Sequence, residues 1–92
     1  MSGEISRTLT ISNQRGLHAR AAAKFCQTAG AFDADITVSK EDMTVGGCSL
    51  MALLMLGAGI GTSITISATG PDAEQAVKSL SALVDARFDE PA

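Results

Sequence analysis

His18 is the only histidine in the chain, and Arg20 follows two positions later where the spacing of apolar residues marks the start of a helix. A neutral imidazole is a nucleophile, and attack on phosphorus would give a phosphoimidazole. The N–H groups of a helix's first turn have no intrahelical acceptor and face outward, which makes that end an anion site. The backbone N–H groups of Ala19 and Arg20 are therefore expected to donate to a phosphate, and the Arg20 guanidinium adds a planar, permanently charged fork. Gly16 lets the chain turn sharply into this position. The positive helix end should also disfavour imidazolium, keeping the ring neutral and nucleophilic near neutral pH. An ordinary polar residue beside a helix start is the plainer alternative, and these residues alone leave both readings open.

A second stretch could hold phosphate. "GAGIGTS", residues 57–63, is rich in glycine, which allows close backbone approach. Its context differs from that of known nucleotide loops, because the glycines follow a short helix and precede a strand, with no GK[ST]. A helix-to-strand connection that uses glycine to leave the helix is the competing reading. Cys26 and Cys48 lie 22 residues apart with no CxxC partner, so neither a metal site nor a disulfide framework is supported. They read as buried thiols acting as small hydrophobes.

The elements that must position His18 are legible from periodicity. Ile5, Leu9 and Ile11 share one parity in "EISRTLTI"; Ala34, Ile36 and Val38 alternate in "ADITVS"; Ile64, Ile66 and Ala68 alternate in "TSITISA". "KED" at 40–42 reads as a turn into a short strand at Met43–Val45. Ala22, Phe25, Cys26 and Ala29 fall at helical spacing, giving a first helix over about 18–29 with Gly30 as its stop. Ala73, Ala76, Val77, Leu80, Leu83, Val84 and Phe88 repeat at three and four, with Pro71 placed for the first turn and Asp72 and Glu74 suited to the helix's positive end. A short helix over Ser49–Leu56 is apolar almost all round. If Leu53 and Leu56 turn inward, then Leu50, Met51, Leu54 and Met55 remain as a flexible apolar patch for a partner; the alternative is that all of them are core. Ser49 stands where an N-cap belongs.

The order strand, helix, strand, strand, helix, strand, helix predicts an α+β open-faced sandwich, βαββαβα, with a four-stranded antiparallel sheet and three helices on one face. Ninety-two residues suffice for one domain, residues 1–92, and no linker or repeat is visible. A net charge of −3 with three Phe and no Tyr or Trp argues against nucleic acid, which needs clustered cations and stacking platforms. The start, Met1-Ser-Gly-Glu-Ile, lacks a basic and apolar leader, and the apolar run Leu50–Leu56 is too short to cross a bilayer, so a cytoplasmic protein without membrane insertion is expected.

"GLHAR" followed by "AAAKF" resembles the phosphorylation-site signature of the HPr family, the histidine-containing phosphocarriers of the bacterial phosphoenolpyruvate-dependent phosphotransferase system. Residues 49–80, "SLMALLMLGAGIGTSITISATGPDAEQAVKSL", resemble the family's regulatory-serine helix, final strand and last helix. "ALLML", "ATGP" and the terminal "FDE" lean toward the nitrogen-related NPr branch. The resemblance implies the same βαββαβα fold and a carrier that acts as a covalent intermediate rather than an enzyme, with no cofactor. It implies that His18 accepts a phosphoryl group on Nδ1 from enzyme I and passes it to a IIA-type domain, with Arg20 steadying the phosphate. It further implies that the Leu50/Met51/Leu54/Met55 patch docks donor and acceptor, and that Ser49 is a candidate for modification by a serine kinase/phosphorylase. The family usually has proline where this chain has Ala21, which restores a backbone N–H and frees φ at the helix start. The alternative from another class is a regulatory protein-binding module that uses the same patch without phosphoryl transfer.

Overall fold

The computed structural model describes residues 3–91. Strand β1 (Ile5–Thr10) leads to helix α1 (Ala19–Gly30), the hairpin β2 (Asp35–Lys40) and β3 (Met43–Gly46), the short helix α2 (Leu50–Met55), strand β4 (Ser63–Thr69) and helix α3 (Ala73–Asp85). The four strands form one antiparallel sheet in the order β1-β4-β2-β3, with Leu9 opposite Ile64 and Val38 opposite Ile66. The open-faced sandwich expected from the element order is the fold observed.

Period-two patterning decides which face of the sheet is covered. Ile36, Val38, Ile64, Ile66 and Ala68 are buried beneath the helices. The residues between them carry hydroxyls, which pair across strands on the open face: Ser6 with Ser67, Thr8 with Thr65 and Ser39 with Thr44, each at 2.9 Å. From the helical side, Ala21, Ala22, Phe25 and Ala29 of α1 and Ala73, Ala76, Val77, Leu80 and Val84 of α3 complete one continuous core. Removal of this apolar surface from water is the main force holding the layers together.

Four local expectations need correction. Gly30 is the last residue of α1, and Ala31, with ordinary right-handed φ, caps the helix, so no left-handed stop is used there. Pro71 precedes the cap residue Asp72 rather than entering the first turn. The Asp72 carboxylate leaves its own helix uncapped and accepts the Asp33 amide at 2.8 Å, tying α3 to the loop before β2. Cys48 is exposed and Cys26 half-buried, so the pair is not a set of core thiols. The last helix does not run on to Phe88: it ends at Asp85, and Arg87, Phe88 and Asp89 take left-handed φ of 58°, 55° and 63° in a single turn that drives Phe88 into the core.

Candidate functional site

Asn13, in the loop after β1, begins the construction. It is fully buried, and its Nδ2 donates to the Gly16 carbonyl at 2.7 Å, which closes a tight turn around residues 13–16. Gly16 has φ +67°, and a Cβ there would stand 2.6 Å from the Ala58 carbonyl oxygen and 2.8 Å from Gly59 Cα. Leu17, buried one position later, donates its amide to that same carbonyl at 2.8 Å. The chain therefore reaches His18 pressed flat against the loop that leaves α2. A Gly16→Ala variant combines overpacking with a left-handed L-residue, so it should lose about 2–4 kcal/mol of stability; a urea midpoint within error of the parent would contradict this account.

That supporting loop is the glycine-rich stretch. Its Gly61 amide donates to the Ile11 carbonyl and the Ile11 amide donates to Thr62, both at 2.8 Å, while the Gly59 carbonyl accepts from the Thr62 hydroxyl at 2.7 Å. These backbone groups brace the His18 loop, which is the connection reading of residues 57–63.

His18 is the N-cap of α1, with extended backbone and a carbonyl that accepts the Ala22 amide at 2.8 Å. Its side chain is 16% exposed. Nδ1 accepts from the Arg20 amide at 3.3 Å. One of the two amides assigned to phosphate is thus engaged in this state, by the ring atom expected to be phosphorylated. Ala19 and Arg20 are exposed on the first turn. Ala21 is fully buried, so the position where proline is usual in the family packs inward here.

The other ring nitrogen has a partner invisible in the local sequence. Nε2 meets Oε2 of Glu90, 72 residues away. The second carboxylate oxygen, Oε1, accepts from Asn13 Nδ2 at 3.0 Å. Burial pushes the Glu90 carboxyl up, but hydrogen bonds from Asn13 and His18 and the charges of His18 and Arg15 outweigh it and hold the group below its ordinary value of 4.5. A depressed carboxyl contributes stability that is fully present above the unfolded value and is lost as pH falls through the folded one. The urea-midpoint advantage of the parent over Glu90→Gln should therefore shrink as pH falls below about 4.5; a flat difference down to pH 3 would contradict it.

Arg15 and Arg20 are exposed and, with Gln14, Glu90 and Pro91, line a hollow of about 210 Å³. Two arginines line the hollow where one was expected. Arg15 could have been suspected from its place three residues before His18; Asn13 and Glu90 carried no comparable signal. The ring thus lies between the start of α1 and the Glu90 carboxylate, where only the helix start was foreseen.

Helix α2 packs against α1 and divides its residues unevenly. Leu53 and Leu56 are buried; Leu50, Met51 and Met55 are exposed by 40%, 69% and 69%. Leu54 is half-buried against the core, so it is only partly in the expected patch; Met43 and Ile60 are further exposed apolar side chains. Ser49 caps α2 by accepting the Ala52 amide at 3.3 Å and is itself exposed. Among the described residues no helix is long and apolar enough to cross a membrane.

Residues 5–86 match the family model described as "PTS HPr component phosphorylation site". The chain is 45% identical over 87 residues to phosphocarrier protein NPr of Shewanella violacea, covering 95% of this chain and 96% of that protein. It is 43% identical over 86 residues to phosphocarrier protein HPr of Cupriavidus necator, covering 94% and 97%. Among solved structures, it superposes on an HPr of Thermoanaerobacter tengcongensis with a TM-score of 0.92 at 40% identity, covering 96% of this chain and 99% of the other.

Proposed function

The chain belongs to the HPr family of phosphocarriers, and from that premise we propose that His18 Nδ1 accepts a phosphoryl group from phosphorylated enzyme I, with phosphoenolpyruvate as ultimate donor, and passes it to a IIA-type domain. The observation that carries this reading is the position of the ring: His18 caps the helix that it begins, and Nδ1 faces the Arg20 amide. When a phosphoryl group occupies Nδ1, that amide transfers from the ring nitrogen to a phosphoryl oxygen, so the donor stays satisfied in both states. The Ala19 amide and the Arg20 and Arg15 guanidiniums complete the electrostatic setting for a dianion.

The protein is a cytoplasmic carrier, residues 1–92 forming a single domain, and the chemistry of activation resides in its partners. Leu50, Met51 and Met55, with Leu54 beneath them, supply the docking surface, whose unbranched Met side chains can adapt to more than one partner. Ser49 lies at the edge of that surface, and phosphorylation there would place about −1.5 to −2 charges beside apolar contacts and oppose docking. The relay is of the sugar or the nitrogen-related type, and relatives named HPr and NPr both match this chain.

The test is incubation with phosphoenolpyruvate and enzyme I. The expected product is an acid-labile, base-stable phosphohistidine on Nδ1. A protein that binds enzyme I or a IIA domain through the patch yet takes no phosphoryl group would instead be a regulatory binding module.

A further inference from the structure

We propose that Glu90 is a positioning residue for the phosphoryl-accepting nitrogen: its carboxylate keeps the ring proton on Nε2, so that the Nδ1 lone pair is always the one presented. The argument begins with inventory. An ionised carboxylate has acceptors and no proton to give, so the contact between His18 Nε2 and Glu90 Oε2 requires a proton on Nε2. At the other side of the ring the Arg20 amide donates to Nδ1, which requires a lone pair there. Two partners on separate parts of the chain thus select one tautomer.

The carboxylate is itself held in place. Asn13 Nδ2 bridges Glu90 Oε1 and the Gly16 carbonyl, tying the acid to the turn that delivers His18. Behind Glu90, the buried Phe88 side chain anchors the terminal turn, and Lys24 Nζ of α1 donates to the Phe88 carbonyl at 2.7 Å. Three consecutive left-handed residues, none of them glycine, are maintained in the stretch that brings the acid back to the ring. Arg15 and Arg20 line the same hollow, and Glu90, the single carboxylate among its lining residues, faces the ring nitrogen that does not react.

The consequence for transfer, which rests on the phosphocarrier reading, follows from atom balance. The Nδ1 lone pair forms the new N–P bond as the donor's bond to phosphorus breaks, and the donor's bonding pair leaves with it. No proton leaves the ring: Nε2–H stays directed at Glu90, and the positive charge that the ring acquires is met by that carboxylate. The same carboxylate repels a phosphoryl donor from Nε2, so only one phosphohistidine isomer forms.

The test separates this proposal from the phosphocarrier reading by using no partner protein. In ¹⁵N-labelled protein above the pH at which the ring titrates, the parent should show Nε2 protonated and Nδ1 unprotonated, without a detectable second tautomer. Glu90→Ala should show both tautomers in exchange. Glu90→Gln, whose one amide oxygen still accepts from Nε2–H although its NH2 forfeits the Asn13 bond, should recover most of the Nε2–H tautomer, a rescue that a merely structural role would not give. Treatment with phosphoramidate, a small phosphoryl donor, should label the parent on Nδ1 and raise the Nε2-phosphohistidine share at least several-fold in Glu90→Ala. A parent ring protonated on Nδ1 would overturn the proposal whatever the variants do, and so would an unchanged tautomer and isomer ratio in a folded Glu90→Ala. Failure of enzyme I to phosphorylate the parent would count against the carrier reading and leave the tautomer result standing.

Discussion

His18→Ala is expected to take phosphoryl uptake from about one group per chain to none, while the fold survives. The chain has no second histidine to inherit the label. The lost imidazole is a half-buried cap whose one helix-capping bond, from the Arg20 amide, is long at 3.3 Å. Truncating such a cap costs about 0.5–2 kcal/mol, against a total for a domain of this size of order 5–14 kcal/mol. Circular dichroism and the urea transition should therefore remain those of a folded protein while radiolabel from phosphoenolpyruvate disappears. A folded variant that still took up label would place the acceptor elsewhere and remove His18 from the relay.

The largest stability effect is expected at Phe88, and it should couple to the site. The side chain is fully buried although it lies beyond the end of α3. Truncating a buried Phe to Ala costs about 3–5 kcal/mol in lost transfer energy and residual cavity. At this position the ring also offsets the backbone cost of the left-handed turn at 87–89. Once the ring is gone the turn keeps only polar ties, among them the Lys24 bond to the residue-88 carbonyl, which do not offset its backbone cost, and Glu90 is released from His18. Phe88→Ala should thus lower the urea midpoint by a large fraction of the whole and, in the remaining folded molecules, reproduce the mixed tautomers expected of Glu90→Ala. A loss under about 1 kcal/mol would show that the turn is held by something other than Phe88 burial.

These two residues illustrate how differently parts of the site are encoded. His18 and Arg20 belong to one helix start, and the chemistry of such an end depends on residues within a few positions of each other. The same holds for Ser49 as the cap of α2, and for the strands, whose apolar parity shows through side chains two apart. Single-turn decisions were less accessible. Gly30 resembled a left-handed stop, yet α1 closes through right-handed Ala31. Phe88 fitted the helical repeat, yet reaches the core through a left-handed turn of Arg87, Phe88 and Asp89, of which only Asp is a type enriched in that region.

By itself, then, the amino-acid sequence determined the order of elements, the covered face of the sheet, and the placing of His18 and Arg20 at one helix start, because each depends on a local period or a local helix end. Only the tertiary structure decided that Leu54 is half-buried while Met51 and Met55 stand out, that Asn13 lies buried beneath the His18 turn, and that Glu90 meets Nε2. Those outcomes depend on how elements distant in sequence share one core. A contact across 72 residues is set by where the buried Phe88 ring must sit, and no local pattern around His18 records that.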